Sequence, residues 1–200
     1  MEDSQNKNPV PQQQEAAQTV GSFIWDLVKI LVIALVIIIP FRTFIAEPFV
    51  VSGASMLPNF RDHDYLIVDR LSYLHDNPQR GDVIVLLYPK DTSQFFIKRV
   101  IGLPGETVSF AQGEVKIINA EHPDGFYLKE PYLPAGLETI GSDTPVHLGS
   151  GEYFVLGDNR TASSDSRIWG ILPRSDIVGR VALRIYPFGD FGAVKTPSYQ

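Results

Sequence analysis

The chain has 200 residues, 44% of them hydrophobic, and a formal net charge of −6. Such a chain lacks the basic face that a nucleic-acid partner calls for, so no nucleic acid is expected. Cysteine is absent, which excludes disulfides, thiol catalysis and cysteine-based zinc sites. The four histidines, His63, His75, His122 and His147, are scattered without ligand spacing, so neither a metal nor another cofactor is expected.

Residues 1–22 are polar, rich in Gln and contain Pro, with few large apolar groups to offset the entropy of ordering, and read as a disordered tail. Residues 23–45 read as a membrane anchor. Within them Trp25–Ile45 is the most apolar stretch of the chain, close to the roughly 20 residues that span a bilayer as a helix. The charge-free run Ile30–Phe41 is shorter, so Lys29 would snorkel to the headgroups, with Trp25 at the interface. Apolar residues surround this helix instead of forming a stripe, which favours a span over a core helix. The tail before it is long and acidic, and no small-x-small pattern follows it, so it is retained and not cleaved as a leader. Lys7 and Lys29 before the run and Arg42 after it barely decide its orientation.

Residues 46–200 read as one mainly β domain, a small barrel or sandwich. Strands are expected at Tyr65–Leu71, Val83–Tyr88, Gln94–Leu103, Thr107–Phe110 with Glu114–Ile118, Tyr153–Leu156 and Ile177–Tyr186. No segment past residue 50 has a helical period. Residues 119–150, rich in Gly, Pro and polar groups, read as an excursion from the core.

Three clusters carry chemistry. Ser55, in Val51-Ser-Gly-Ala-Ser-Met-Leu-Pro-Asn59, follows Gly-Ala and precedes a proline turn, a setting that exposes a hydroxyl beside free amides. It is also an ordinary place for a turn serine. Lys98 lies in Gln94-Phe-Phe-Ile-Lys-Arg-Val-Ile101, where alternation puts Phe96, Lys98 and Val100 on one face and Ile97, Arg99 and Ile101 on the other. Facing inward, Lys98 loses solvation and its pKa falls, and a neutral amine can then deprotonate a serine. Equally, Lys98 could snorkel while Arg99 faces in. The third cluster is Gly157–Gly170, a loop of hydroxyls and balanced charges that includes Asp158, Arg160, Asp165 and Arg167.

In these clusters the chain resembles the type I (leader) signal peptidases. Gly53-Ala-Ser55-Met56-Leu-Pro58-Asn59 is similar to that family's serine segment, and Arg80-Gly81-Asp82 to its R-G-D strand start. Lys98-Arg99-Val-Ile-Gly102-Leu-Pro104-Gly105-Glu106 matches the lysine segment, and Gly157-Asp158-Asn159-Arg160 with Ser163-Ser-Asp165-Ser166-Arg167 and Gly170 matches the last box. The resemblance implies Ser55 as nucleophile and Lys98 as general base. It also implies Ser163 as the hydroxyl orienting the lysine, an Asp165–Arg167 ion pair, and Asp158 and Arg99 shaping the site. The Ser55 backbone N–H would be one oxyanion donor. The second is open, because Gly53 stands where some members have a serine. Asn59 replaces the usual threonine.

The same resemblance implies signal-peptide-bearing preproteins as partners, cut after small-x-small (Ala-x-Ala) sites. They would bind as an added β-strand with Phe49, Val51 and Ile97 walling the pockets. It also implies a lipid bilayer as partner, a cytoplasmic N-terminus and an extracytoplasmic catalytic domain. The bacterial plasma membrane is the expected one, with the thylakoid as the alternative. The rival reading is a membrane-tethered paralogue that keeps the fold as a binding module without catalysis.

Overall fold

The computed structural model describes residues 20–40, 46–197 and 199, which belong to two units, a helix and a β domain. The helix is α1 (Val20–Pro40). Its large apolar side chains are exposed on all sides, among them Phe23, Ile24, Trp25, Leu27, Ile30 and Leu31. Asp26 and Lys29, one turn apart, pair at 3.2 Å. No helix among the described residues is long and apolar enough to cross a membrane. Residues 1–19 of the expected tail and 41–45 of the expected anchor lie outside the described residues.

The second unit is mainly β and antiparallel throughout. One sheet holds β1 (Ala46–Val50), β2 (Tyr65–Asp69), β3 (Val83–Tyr88) and β4 (Asp91–Gly102). A smaller sheet holds β5 (Thr107–Ala111), β6 (Glu114–Ile118), β7 (Phe126–Tyr127) and β8 (Val146–His147) in the order β7-β6-β5-β8. The chain then returns to the first sheet with β9 (Glu152–Leu156), β10 (Leu172–Pro173), β11 (Ile177–Tyr186) and β12 (Gly192–Ala193). Its order is β1-β2-β11-β3-β4-β9-β10, with β12 beside β11.

Period-two burial sets the faces. In β3, Val83 and Val85 point into a core with Val51, Met56, Phe60, Leu66 and Val68. Ile84 and Leu86 join the opposite core of Val100, Tyr153, Val155 and Trp169. A third core, including Ile101, Val108, Val115, Ile117 and Phe154, lies under the smaller sheet. Strand β4 begins exposed and ends buried on both faces, which is how two neighbouring cations come to lie inside the protein.

The strand expected to run to Leu71 stops at Asp69, whose carboxylate accepts the Ser72 N–H and starts the one-turn helix α2 (Ser72–His75). Residues 119–150 leave the core in part only. They supply β7 and β8, and Leu128 and Leu148 pack into the third core.

Candidate active site

Ser55 sits on the loop after β1. This loop is tied down at its base by the Val51 N–H to the Asp64 carbonyl (2.9 Å) and the His63 N–H to the Val51 carbonyl (2.9 Å). Met56, next to Ser55, is fully buried under the loop. An apolar anchor beside a half-buried serine fixes where the hydroxyl emerges. The Gly53 N–H donates to Asp62 Oδ1 at 2.8 Å, so it is already engaged.

Lys98, on β4, is 3% exposed, and its Nζ lies 2.9 Å from Ser55 Oγ. The amine also donates to the Ile97 carbonyl at 2.8 Å and lies 5.1 Å from the Phe96 ring centre. Burial disfavours the ammonium and pulls the Lys98 pKa down to about 8, although the charges of Asp165 and Asp158 oppose the fall. A neutral amine at this distance can accept the hydroxyl proton, which is the requirement for an activated serine.

Arg99, also 3% exposed, faces in as well. Its guanidinium makes a two-point contact with Asp158, Nε to Oδ1 at 2.8 Å and Nη2 to Oδ2 at 2.6 Å, and Nη1 donates to the Gly81 carbonyl. Burial works against its charge, but the Asp158 hydrogen bonds and charge raise its pKa further. Asn59 Nδ2 donates to the same carboxylate at 2.8 Å, linking the Ser55 loop to Asp158.

The loop after β9 closes the site. Asp165 accepts from Arg167 Nε (2.8 Å) and Nη2 (2.7 Å) and from the Gly157 N–H (3.0 Å), and it caps the one-turn helix α3 (Ser166–Trp169). Burial pushes its carboxyl up, but these donors hold it below the usual carboxylate range. Asn159 donates from its backbone N–H to the Ser55 carbonyl (3.0 Å) and from its side chain to the Ala54 carbonyl (3.0 Å). Ser163 Oγ is buried against Gly157 without a hydrogen-bond partner at good geometry, and its dipole helps to lower Asp165.

A cavity of about 300 Å³ opens over Ser55 and Lys98, with Phe49, Val51, Phe95 and Ile97 among its walls. Strand β1 borders it and, among the described residues, ends the larger sheet, so one of its edges carries no strand. An exposed edge beside apolar pockets suits an extended peptide. Among the described residues no group of His, Asp and Glu side chains is placed to hold a metal ion.

The model for the family described as signal peptidase, peptidase S26, matches residues 24–186. The chain belongs to that family. It is 39% identical over 178 residues to a probable signal peptidase I-1 of Synechocystis sp., covering 85% of this chain and 86% of the relative. It is 35% identical over 207 residues to a signal peptidase I of Leptolyngbya laminosa, covering 97% and 98%. A crystal structure of a signal peptidase I from Enterococcus faecalis V583 is 31% identical, with a TM-score of 0.44 over 54% of this chain and 98% of that one.

Two of the signal peptidase motifs meet away from Ser55. Arg80 Nη2 pairs with Glu106 Oε1 at 2.6 Å, joining the turn before β3 to the turn after β4. Sequence reasoning missed Glu130, Tyr132 and Thr139, which bind the arginines of the site from the 119–150 stretch. Only an acid and an aromatic flanking Pro131 mark that position in the sequence.

Proposed function

We propose that this chain works as a signal peptidase I, with Ser55 as nucleophile and Lys98 as general base. The observation that carries this reading is the 2.9 Å contact of a buried amine with the Ser55 hydroxyl. In the neutral state the hydroxyl donates to Nζ, and Lys98 takes the proton as Oγ attacks the scissile carbonyl. The Ser55 N–H is one donor to the oxyanion. Lys98 then gives the proton to the departing amine, leaving an acyl-enzyme, and activates the water that hydrolyses it. Asp165 with Arg167 and Asp158 with Arg99 hold the surrounding loops, while Ser163, expected to orient the lysine, makes no hydrogen bond to it.

The substrate in this reading is the signal peptide of an exported preprotein, laid as a strand along β1. Small side chains before the cut, as in Ala-x-Ala, enter the pockets walled by Phe49, Val51 and Ile97. Residues 23–45 anchor the domain in a bilayer, with the N-terminus cytoplasmic and residues 46–200 outside. The apolar side chains exposed all round α1 support the anchor. The catalytic domain then faces emerging preproteins.

The test is incubation of the detergent-solubilised chain, and of its Ser55→Ala variant, with a preprotein carrying an Ala-x-Ala site. Mass spectrometry should show cleavage after the second alanine by the wild type alone. Equal cleavage by the Ser55→Ala protein would sink the assignment. For the anchor, deletion of residues 1–45 should release an active domain from the membrane fraction.

A further inference from the structure

Residues 130–132 reach two of the three arginines of the site, Arg160 and Arg99. Glu130 makes a two-point ion pair with Arg160, Oε1 to Nη2 and Oε2 to Nη1 (2.6 Å), in which Arg160 is 0% exposed and Glu130 9%. Arg160 also donates to Thr139 Oγ1 and, from Nε, to the Gly157 carbonyl at 3.1 Å. Its own carbonyl accepts from Arg167 Nη1 at 2.7 Å. On the other side of Pro131, the Tyr132 ring stacks 3.9 Å from the Arg99 guanidinium carbon. The Tyr132 carbonyl accepts from Asn59 Nδ2 at 2.9 Å, and its hydroxyl donates to Glu130.

Gly157 is therefore gripped at both ends, its N–H by Asp165 and its carbonyl by Arg160. It packs against the Ser55 carbonyl oxygen. A shift of Gly157 moves the support under the nucleophile. Arg160 cannot hold that carbonyl as a buried cation without a buried anion, and Glu130 is that anion. We propose that Glu130 is a positioning residue for the reaction, acting through Arg160 on Gly157 and so on the Ser55–Lys98 distance, with Tyr132 steadying Arg99 from the same segment. This assigns the 119–150 stretch the task of clamping the catalytic loop. It rests on the Ser55–Lys98 reading above.

The experiment compares wild type, Glu130→Ala, Glu130→Gln, Arg160→Gln and the Glu130→Gln/Arg160→Gln pair, with Ser55→Ala and Lys98→Ala as controls. Each is the full chain in detergent, assayed on an Ala-x-Ala peptide for kcat, KM, the pH dependence of kcat and Tm. A displacement of about 1 Å at a reacting centre can cost about 10²-fold. Glu130→Ala should therefore lower kcat by about that factor, with KM little changed. The kcat midpoint should shift from about 8, because burial of Nζ sets it and a displaced Ser55 loop changes that burial. Asp165 and Asp158, neutralised by Arg167 and Arg99, are the charges that bear on Lys98 and are intact in the Glu130 variants. The Glu130→Gln/Arg160→Gln protein should be no worse than either single variant.

A folded Glu130→Gln or Glu130→Ala protein with wild-type kcat and midpoint and only a lower Tm would overturn the proposal. So would failure of both Glu130 variants to fold, which makes the pair a folding element. Activity surviving in Ser55→Ala or Lys98→Ala would instead overturn the Ser55–Lys98 reading itself.

Discussion

Lys98 and Arg99 are neighbours on β4 and equally buried, yet their cationic ends go to different partners. Arg99 meets the Asp158 carboxylate, while Lys98 meets a hydroxyl and a carbonyl. The first keeps its charge because a buried anion answers it. The second is pulled toward neutrality by burial. One strand thus provides a fixed cation for structure and a titratable amine for chemistry.

Activity should therefore rise with pH. Lys98 is protonated below about 8 and neutral above it, so kcat/KM should climb about tenfold per pH unit below that midpoint and then level. Lys98→Ala should be inactive throughout. A flat profile from about pH 6 to about pH 9 would remove Lys98 from the base role.

Stability should carry the same signature with a definite sign. The folded-state pKa of Lys98 is about 8 against the ordinary lysine value of 10.5, so the unfolded chain binds more protons between those values. Unfolding free energy then rises with pH through that window, and the burial penalty is fully present below it. Lys98→Met should be more stable than wild type near neutral pH, by up to about 3 kcal/mol. Chemical denaturation at increasing pH should show that advantage fading toward 10.5. An advantage independent of pH would contradict the linkage.

Breaking the Arg99–Asp158 pair should be costly. Asp158 is 0% exposed, and removing either partner leaves a buried charge uncompensated. Arg99→Ala or Asp158→Leu should lose about 3–5 kcal/mol. The double variant should lose less than the two losses added, as a thermal-denaturation cycle would reveal. Full additivity would mean that the contact carries little energy.

Gly157→Ala tests the support under Ser55. A Cβ there would overlap the Ser55 carbonyl oxygen and the Ser163 hydroxyl, so the backbone must move. Overpacking of this kind costs about 1–3 kcal/mol, and kcat should fall by about 10²-fold with a smaller change in KM. Retained kcat would show that the loop tolerates displacement without disturbing the dyad.

Much of the fold was legible in the sequence because alternation is a local signal. The strands at 83–88, 114–118 and 177–186 read correctly, since each buries one residue in two or fills a fully covered core. The two-residue strands β7, β8, β10 and β12 were not legible, because two residues carry no period. Local chemistry left Ser55 and Lys98 open, since a serine before a proline turn and a basic residue in an apolar strand each have an ordinary structural reading. The resemblance of the surrounding motifs singled them out. Whether Lys98 or Arg99 faces in had no answer in alternation alone. Both do, because β4 ends between cores on its two faces.

By itself, then, the sequence determined the β domain, the apolar helix and the residue types available for acyl transfer. The tertiary structure alone decided which charge answers which. Glu130 meets Arg160 from 30 residues away, and Asp158 meets Arg99 from 59. Partner choice among buried charges depends on how the loops between β6, β8 and β9 close over the sheet, and no local pattern encodes that closure. The perturbed lysine follows from the same cause, since desolvation is a property of everything packed around Nζ and not of the strand that carries it.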